Sequence, residues 1–144
     1  MGRRFCLPGR RIEVGRLRLL LDTHAVIWWF ESDPQLSRRA RAAISASDNL
    51  VFVSTAVAWE CAIKAPTGKL PQAAPLIAAF RPVLVRAGFE LLDVSLEHIL
   101  AAGALPRFHG DPFDRMLVAQ ALAEGLALVS KDAELDRYGV KRLW

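Results

Sequence analysis

Four carboxylates, Asp22, Glu60, Asp114 and Asp132, stand at positions from which they can act together. Asp22 ends the apolar run Leu-Arg-Leu-Leu-Leu, and Asp132 follows Leu-Val-Ser-Lys. Glu60 lies in an apolar helical stretch behind Val-Phe-Val-Ser, and Asp114 in the first turn of a helix opened by Asp111-Pro112. Each has an ordinary explanation taken alone. Asp22 and Asp132 can cap a helix or turn, Asp114 can complement a helix macrodipole, and Glu60 can pair with Lys64 at i+4. Two details weigh against those readings. Asp111 already fills the cap before Pro112, leaving Asp114 free to face the sheet. Glu60 sits between Trp59 and Cys61, where a carboxylate is costly without a partner or a metal.

All four acids fall at one edge of the predicted sheet, the carboxyl ends of its strands, where open parallel sheets build their ligand crevice. Neighbouring carboxylates raise one another's pKa, and a divalent cation relieves the repulsion. Oxygen ligands without clustered His or Cys favour Mg²⁺, with Mn²⁺ as a substitute, over Zn²⁺. Carboxylate-held metals serve in-line attack of water on phosphodiesters. The spacing makes metal-dependent phosphoryl transfer the best fit without proving it. Other chemistries lose their motifs: the chain has no phosphate-binding Gly-rich loop, no G-x-S-x-G elbow and no H-E-x-x-H.

The elements that must position these acids alternate. Strands are predicted at Leu17–Asp22, Val51–Ser54, Leu91–Val94 and Leu126–Ser130, with a short fifth at Val140–Leu143. Helices are expected at Thr23–Phe30, Ser37–Ser45 and Thr55–Lys64, and over Ala73–Ala87 with an interruption near Pro82 and a stop at Gly88. Two more follow, one capped by Ser95 and running to about Leu105, the other from Pro112 to Glu124. This order predicts an α/β fold: a three-layer α/β/α sandwich around a mainly parallel sheet of four to five strands.

With 144 residues, 53% hydrophobic and 24% charged, the chain suits one folded domain. No apolar run approaches the ~18 residues of a membrane span. Two cysteines, Cys6 and Cys61, are too few for a disulfide framework, which points to a reducing, cytoplasmic setting. The five arginines and one glutamate of residues 1–16 carry the whole net charge of +4, leaving residues 17–144 neutral. Residues 1–16 are therefore read as a basic, disordered extension, with a targeting or nucleic-acid-binding arm as the alternative, and 17–144 as the single domain.

Leu-Leu-Leu-Asp22-Thr-His, Val-Ser-Thr-Ala-Val-Ala-Trp-Glu60-Cys-Ala-Ile-Lys, Asp-Pro-Phe-Asp114-Arg with Ala-Gln-Ala-Leu-Ala-Glu-Gly125, and Leu-Val-Ser-Lys-Asp132 resemble the PIN-domain ribonucleases. The match is nearest to the VapC-type toxins of type II toxin–antitoxin pairs, and it covers about residues 17–144. The resemblance implies metal-dependent endoribonuclease activity on RNA, a homodimer and a cognate antitoxin. It places Asp22, Glu60 and Asp114 in the acidic metal-binding core, with Asp132 as a fourth, less uniform acid. Thr23 and Ser54 stand where small hydroxyls support such sites. Arg115 is left between contacting phosphate and pairing with Asp111. Pro66 shortens the helix after Lys64 relative to this pattern, and the extension before Leu17 is atypical. His24 is expected to pack at its helix start and His109 to be solvated. Trp28, Trp29, Trp59 and Trp144 are expected in core or dimer packing rather than in base stacking.

Two rivals stand beside the toxin reading. One is a catalytically silent PIN scaffold for dimerisation and assembly with antitoxin and operator, which has no need of an intact acid set. The other is a phosphotransfer domain of receiver or haloacid dehalogenase type. The dehalogenase pattern wants a second acid two residues after Asp22, where this chain has His24, and the receiver's paired acids before that position are missing.

Overall fold

Leu19, Leu20 and Leu21 are wholly buried. A strand apolar on both faces needs helices on both sides, which is the signature of a parallel sheet inside a sandwich. The computed structural model describes residues 3–7, 10–14 and 16–144 and has that arrangement. In chain order the strands are β1 (Arg3–Leu7), β2 (Arg10–Val14), β3 (Arg18–Leu21), β4 (Leu50–Ser54), β5 (Glu90–Leu92), β6 (Ala127–Val129) and β7 (Arg142–Leu143). The helices are α1 (Thr23–Phe30), α2 (Arg38–Ser45), α3 (Thr55–Lys64), α4 (Ala74–Ala78), α5 (Phe80–Ala87), α6 (Leu96–Ala104) and α7 (Pro112–Glu124). The main sheet has order β5-β4-β3-β6-β7, with every neighbouring pair parallel.

This order places the site. The chain leaves β3 toward β4 and β5, then returns to β6 on the other flank of β3. The carboxyl end of β3 is thus a topological switch point, where loops diverge and open a crevice. Asp22 is the first residue beyond β3, and its amide donates to the Val129 carbonyl at the end of β6 (3.1 Å).

The local chemistry of the ends is mostly as expected. Asp22, Ser37, Ser54, Ser95 and Asp111 each accept a backbone N–H at a helix start. Gly88 and Gly125 close α5 and α7 in the left-handed conformation, at φ 76° and 67°. The break in the 73–87 helix differs. It falls at Ala79 (φ −142°), and Pro82 sits in the first turn of α5, where a missing N–H costs no intrahelical bond.

One feature departs from the sequence reading more widely. Within the basic segment 1–16, read as lacking regular structure, the backbone of β1 pairs antiparallel with β2, Arg3 opposite Val14 and Leu7 opposite Arg10. This two-stranded sheet is separate from the main one. Such a ribbon is marginal by itself in water. Residues 1, 2, 8, 9 and 15 lie outside the described residues. The tryptophans divide between the two expected settings. Trp28, Trp29 and Trp144 are half-buried and pack against the core, whereas Trp59 is 64% exposed on α3 and meets the Phe113 ring edge-on at 5.3 Å.

Candidate active site

Asp22, His24, Trp28, Asp114, Lys131 and Asp132 line one open pocket at the switch point. At ≈ 360 Å³ it is smaller than two apolar clefts, one between α1, α4 and α5, the other between α3, α6 and α7. Neither cleft brings carboxylates together, so size is a poor guide here and convergent chemistry a better one.

Asp22 is nearly buried, and its Oδ1 caps α1 by accepting the Ala25 amide at 2.8 Å. Burial pushes its carboxyl above the usual range, while hydrogen bonds from Ala25 and Ser130 and the nearby His24 pull the other way. Asp114 projects from the first turn of α7, because Asp111 Oδ1 has taken the cap by accepting the Phe113 and Asp114 amides. Its carboxyl is pushed up to about 7, first by burial, then by the negative charges of Asp111 and Asp22. Asp132 caps the 3-10 turn Ala133–Tyr138 through Oδ1, leaving Oδ2 toward the pocket side of His109.

Glu60 does not line the pocket; it stands behind it. Only 5% exposed, it accepts a hydrogen bond from the Thr23 hydroxyl on one oxygen and from Lys64 Nζ on the other. The i+4 pair with Lys64 therefore exists. Glu60 is nonetheless joined to the other acids, since its charge is among those raising both Asp22 and Asp114. A buried carboxylate tied to the residue after Asp22 is not a solvated surface pair.

Two residues, Arg115 and Ser54, read differently in three dimensions. The Arg115 side chain pairs with groups other than Asp111. It is buried and donates to the carbonyls of Ala102, Leu105 and Pro106 and to the Tyr138 hydroxyl. A guanidinium fork thus satisfies the open carbonyl end of α6. Arg115→Ala is expected to lower stability by roughly 2–4 kcal/mol in urea denaturation, because several buried carbonyls lose a charged donor; Arg115→Lys should recover only part. Ser54 is fully buried and caps α3, while Thr23 supports the acids through Glu60.

His109 is the larger correction. Expected in solvent, it is half-buried, with Nε2 2.9 Å from Asp132 Oδ2 and 3.5 Å from Asp114 Oδ2. Among the described residues, His109, Asp114 and Asp132 are the group whose potential ligand atoms all lie within 4.8 Å of one another. Ser130, fully buried at the end of β6, and Lys131 beside it were not singled out from sequence either. The signal for both was the strand end itself, since Ser130 and Lys131 follow β6 as Asp22 follows β3.

The donor set fits a hard divalent cation. It offers carboxylate oxygens, and both Asp22 and Asp114 are displaced upward, first by burial and then by neighbouring carboxylates whose repulsion a cation would relieve.

Comparison with known proteins agrees with this architecture. The chain is 32% identical over 119 residues to Ribonuclease VapC22 of Mycobacterium tuberculosis, covering 81% of this chain and 88% of that one. Its fold is similar to the solved VapBC2 complex of Rickettsia felis bound to a promoter DNA fragment, with a TM-score of 0.64 and 17% identity over 88% of this chain and 97% of that one. It is also similar to DNA-bound VapBC from Salmonella typhimurium, with a TM-score of 0.60 and 20% identity over 88% and 96% of the two chains. Residues 19–141 match the PIN domain family, and with its acids gathered at the switch point of a parallel sheet, this chain belongs to that family.

Proposed function

We propose that this protein is a metal-dependent endoribonuclease acting as the toxin of a type II toxin–antitoxin pair. The observation that carries the reading is the single pocket lined by Asp22, Asp114 and Asp132, with Glu60 held behind it. The relative named as a ribonuclease supports RNA as the substrate. A silent scaffold would have no use for carboxylates kept buried at such electrostatic cost.

Asp22, Asp114 and Asp132 would hold Mg²⁺, or Mn²⁺ in its place, with Glu60 completing the negative field from behind. When bound, such a cation lowers the pKa of water and stabilises charge on the phosphodiester. The chain's own residues orient the reaction. Thr23 and Lys64 fix the Glu60 carboxylate, and Ser130 steadies Asp22. His24 and Lys131 bring basic groups to the rim, where RNA phosphates would approach, and Trp28 offers a half-buried ring beside them.

A cognate antitoxin is the proposed partner, supported by solved neighbours that are VapBC complexes. A homodimer is also proposed. Trp59, Leu96, Ile99 and Leu100 on α3 and α6 are large apolar side chains left exposed and available to it. No helix among the described residues is long and apolar enough to cross a membrane, and the cytoplasm is the proposed location.

The test is direct. Purified free of antitoxin, the protein should cut end-labelled RNA at internal positions with Mg²⁺ or Mn²⁺, lose activity in EDTA and regain it on adding metal. Metal-loaded protein that leaves a broad panel of transfer, ribosomal and messenger RNAs intact would favour the scaffold.

A further inference from the structure

His109 can be assigned a definite tautomer from its neighbours. Its Nδ1 accepts the backbone amide of Asp111 at 3.1 Å, so that nitrogen presents a lone pair and carries no hydrogen. A neutral ring then has its hydrogen on Nε2. Nε2 faces two carboxylate oxygens, Asp132 Oδ2 at 2.9 Å and Asp114 Oδ2 at 3.5 Å. In this arrangement it is a donor, with no lone pair to give a metal.

The ring is held in place from behind. The His109 amide donates to the Tyr138 hydroxyl at 2.9 Å, and Arg115 donates to the same oxygen at 3.3 Å. Asp132 is in turn gripped at both oxygens, Oδ2 by His109 and Oδ1 by the Glu134 amide at 3.0 Å. Each carboxylate oxygen keeps a second lone pair, so these bonds orient the acids without blocking them.

We infer that His109 is a positioning residue: its Nε2–H donates to Asp132, with Asp114 Oδ2 3.5 Å away, and so holds the two carboxylates in register for a shared divalent cation without ligating the cation itself. The inference rests on the metal reading proposed above. His109 adds a link at the pocket between loop 105–111, the start of α7 and the turn after β6, segments that Tyr138 and Arg115 already join from behind.

Two amide substitutions separate the roles of the ring nitrogens in the full-length chain. A glutamine side chain extends to where Nε2 stands and can donate to the carboxylates. An asparagine side chain stops near Nδ1, where it can still accept the Asp111 amide but not reach Asp132. Both keep the backbone bond to Tyr138. Mn²⁺ titration followed by electron paramagnetic resonance of the free ion should show His109→Asn binding ~10–100-fold more weakly than wild type. His109→Gln should bind within a few-fold of wild type, and both variants should melt near the wild-type temperature without metal. Unchanged binding in His109→Asn overturns the inference. So does an equal loss in both variants, which would make the imidazole itself a ligand. Should His109→Asn fail to melt cooperatively, a 10–100-fold loss in His109→Gln alone is sufficient to overturn it. If the wild type takes up no Mn²⁺, the metal reading falls and this inference with it.

Discussion

Asp114→Asn is expected to abolish RNA cleavage and growth arrest on expression, yet leave the metal-free protein folded and more stable at pH 8 than the wild type. The stability sign follows from the position of this carboxyl, pushed up to about 7 by burial and by Asp111 and Asp22. Between its ordinary value of 3.8 and about 7, the folded chain binds the proton that the unfolded chain has released. Its contribution to stability is therefore complete below the ordinary value and is lost as pH rises through about 7. Asparagine has no charge to desolvate, so the metal-free variant should melt higher at pH 8 and show a flatter pH dependence.

Metal reverses the sign for the wild type. Cation binding displaces the proton, so Mn²⁺ affinity should rise with pH through about 7, and added metal should raise the wild-type melting temperature but hardly move that of the variant. Asp22→Asn should behave similarly, because its carboxyl is also raised, first by burial. Its amide oxygen can still cap α1. A variant as toxic as the wild type, or one less stable at pH 8 without metal, would show that the site is assigned wrongly.

Glu60→Gln should lower cleavage by at least ~10²-fold, a loss of about 2.7 kcal/mol in transition-state stabilisation at tenfold per 1.36 kcal/mol. The variant should remain folded, since glutamine can still accept the Thr23 hydroxyl at the position of Oε1. Excess Mg²⁺ or Mn²⁺ should restore part of the activity. The control is Lys64→Ala. If Glu60 served only a helical pair, the two changes would have matched effects of ~0.2–0.5 kcal/mol on stability and none on cleavage. The pair is unequal in burial, with side-chain exposures of 28% for Lys64 and 6% for Glu60. Removing the lysine leaves a buried carboxylate with Thr23 as its hydrogen-bond donor, and should cost about 1–3 kcal/mol in stability while keeping cleavage within ~10-fold of wild type. Kinetics on both variants at two metal concentrations, with urea midpoints alongside, separates the cases; near-neutral cleavage in both removes Glu60 from the site.

Much of the scaffold was legible in the chain because its determinants are local. Leu19–Leu21 reads as a strand buried on both faces from composition alone, and all three are wholly buried. Asp111-Pro112 announces the start of α7, and Gly125 its end, because cap chemistry acts over about one turn. The alternation of strands and helices leads to a parallel sheet, and a parallel sheet collects the residues after its strands at one edge. Asp22 and Asp132 in one pocket follow from that geometry, and Asp114 joins them from the first turn of α7.

What the sequence by itself determined, then, was which segments form strands and helices, and which acids stand at their ends. Tertiary structure alone decided which loop lies beside which. His109 and Asp132 are 23 residues apart and meet because β6 returns beside β3. Arg115 is turned away from the pocket because α6 ends with its carbonyls open against α7. Trp59 stays exposed because α3 turns its Glu60 side toward the acids and leaves its neighbour outside. Strand order and packing are set by long-range burial across the whole core, and no window of a few residues carries that information.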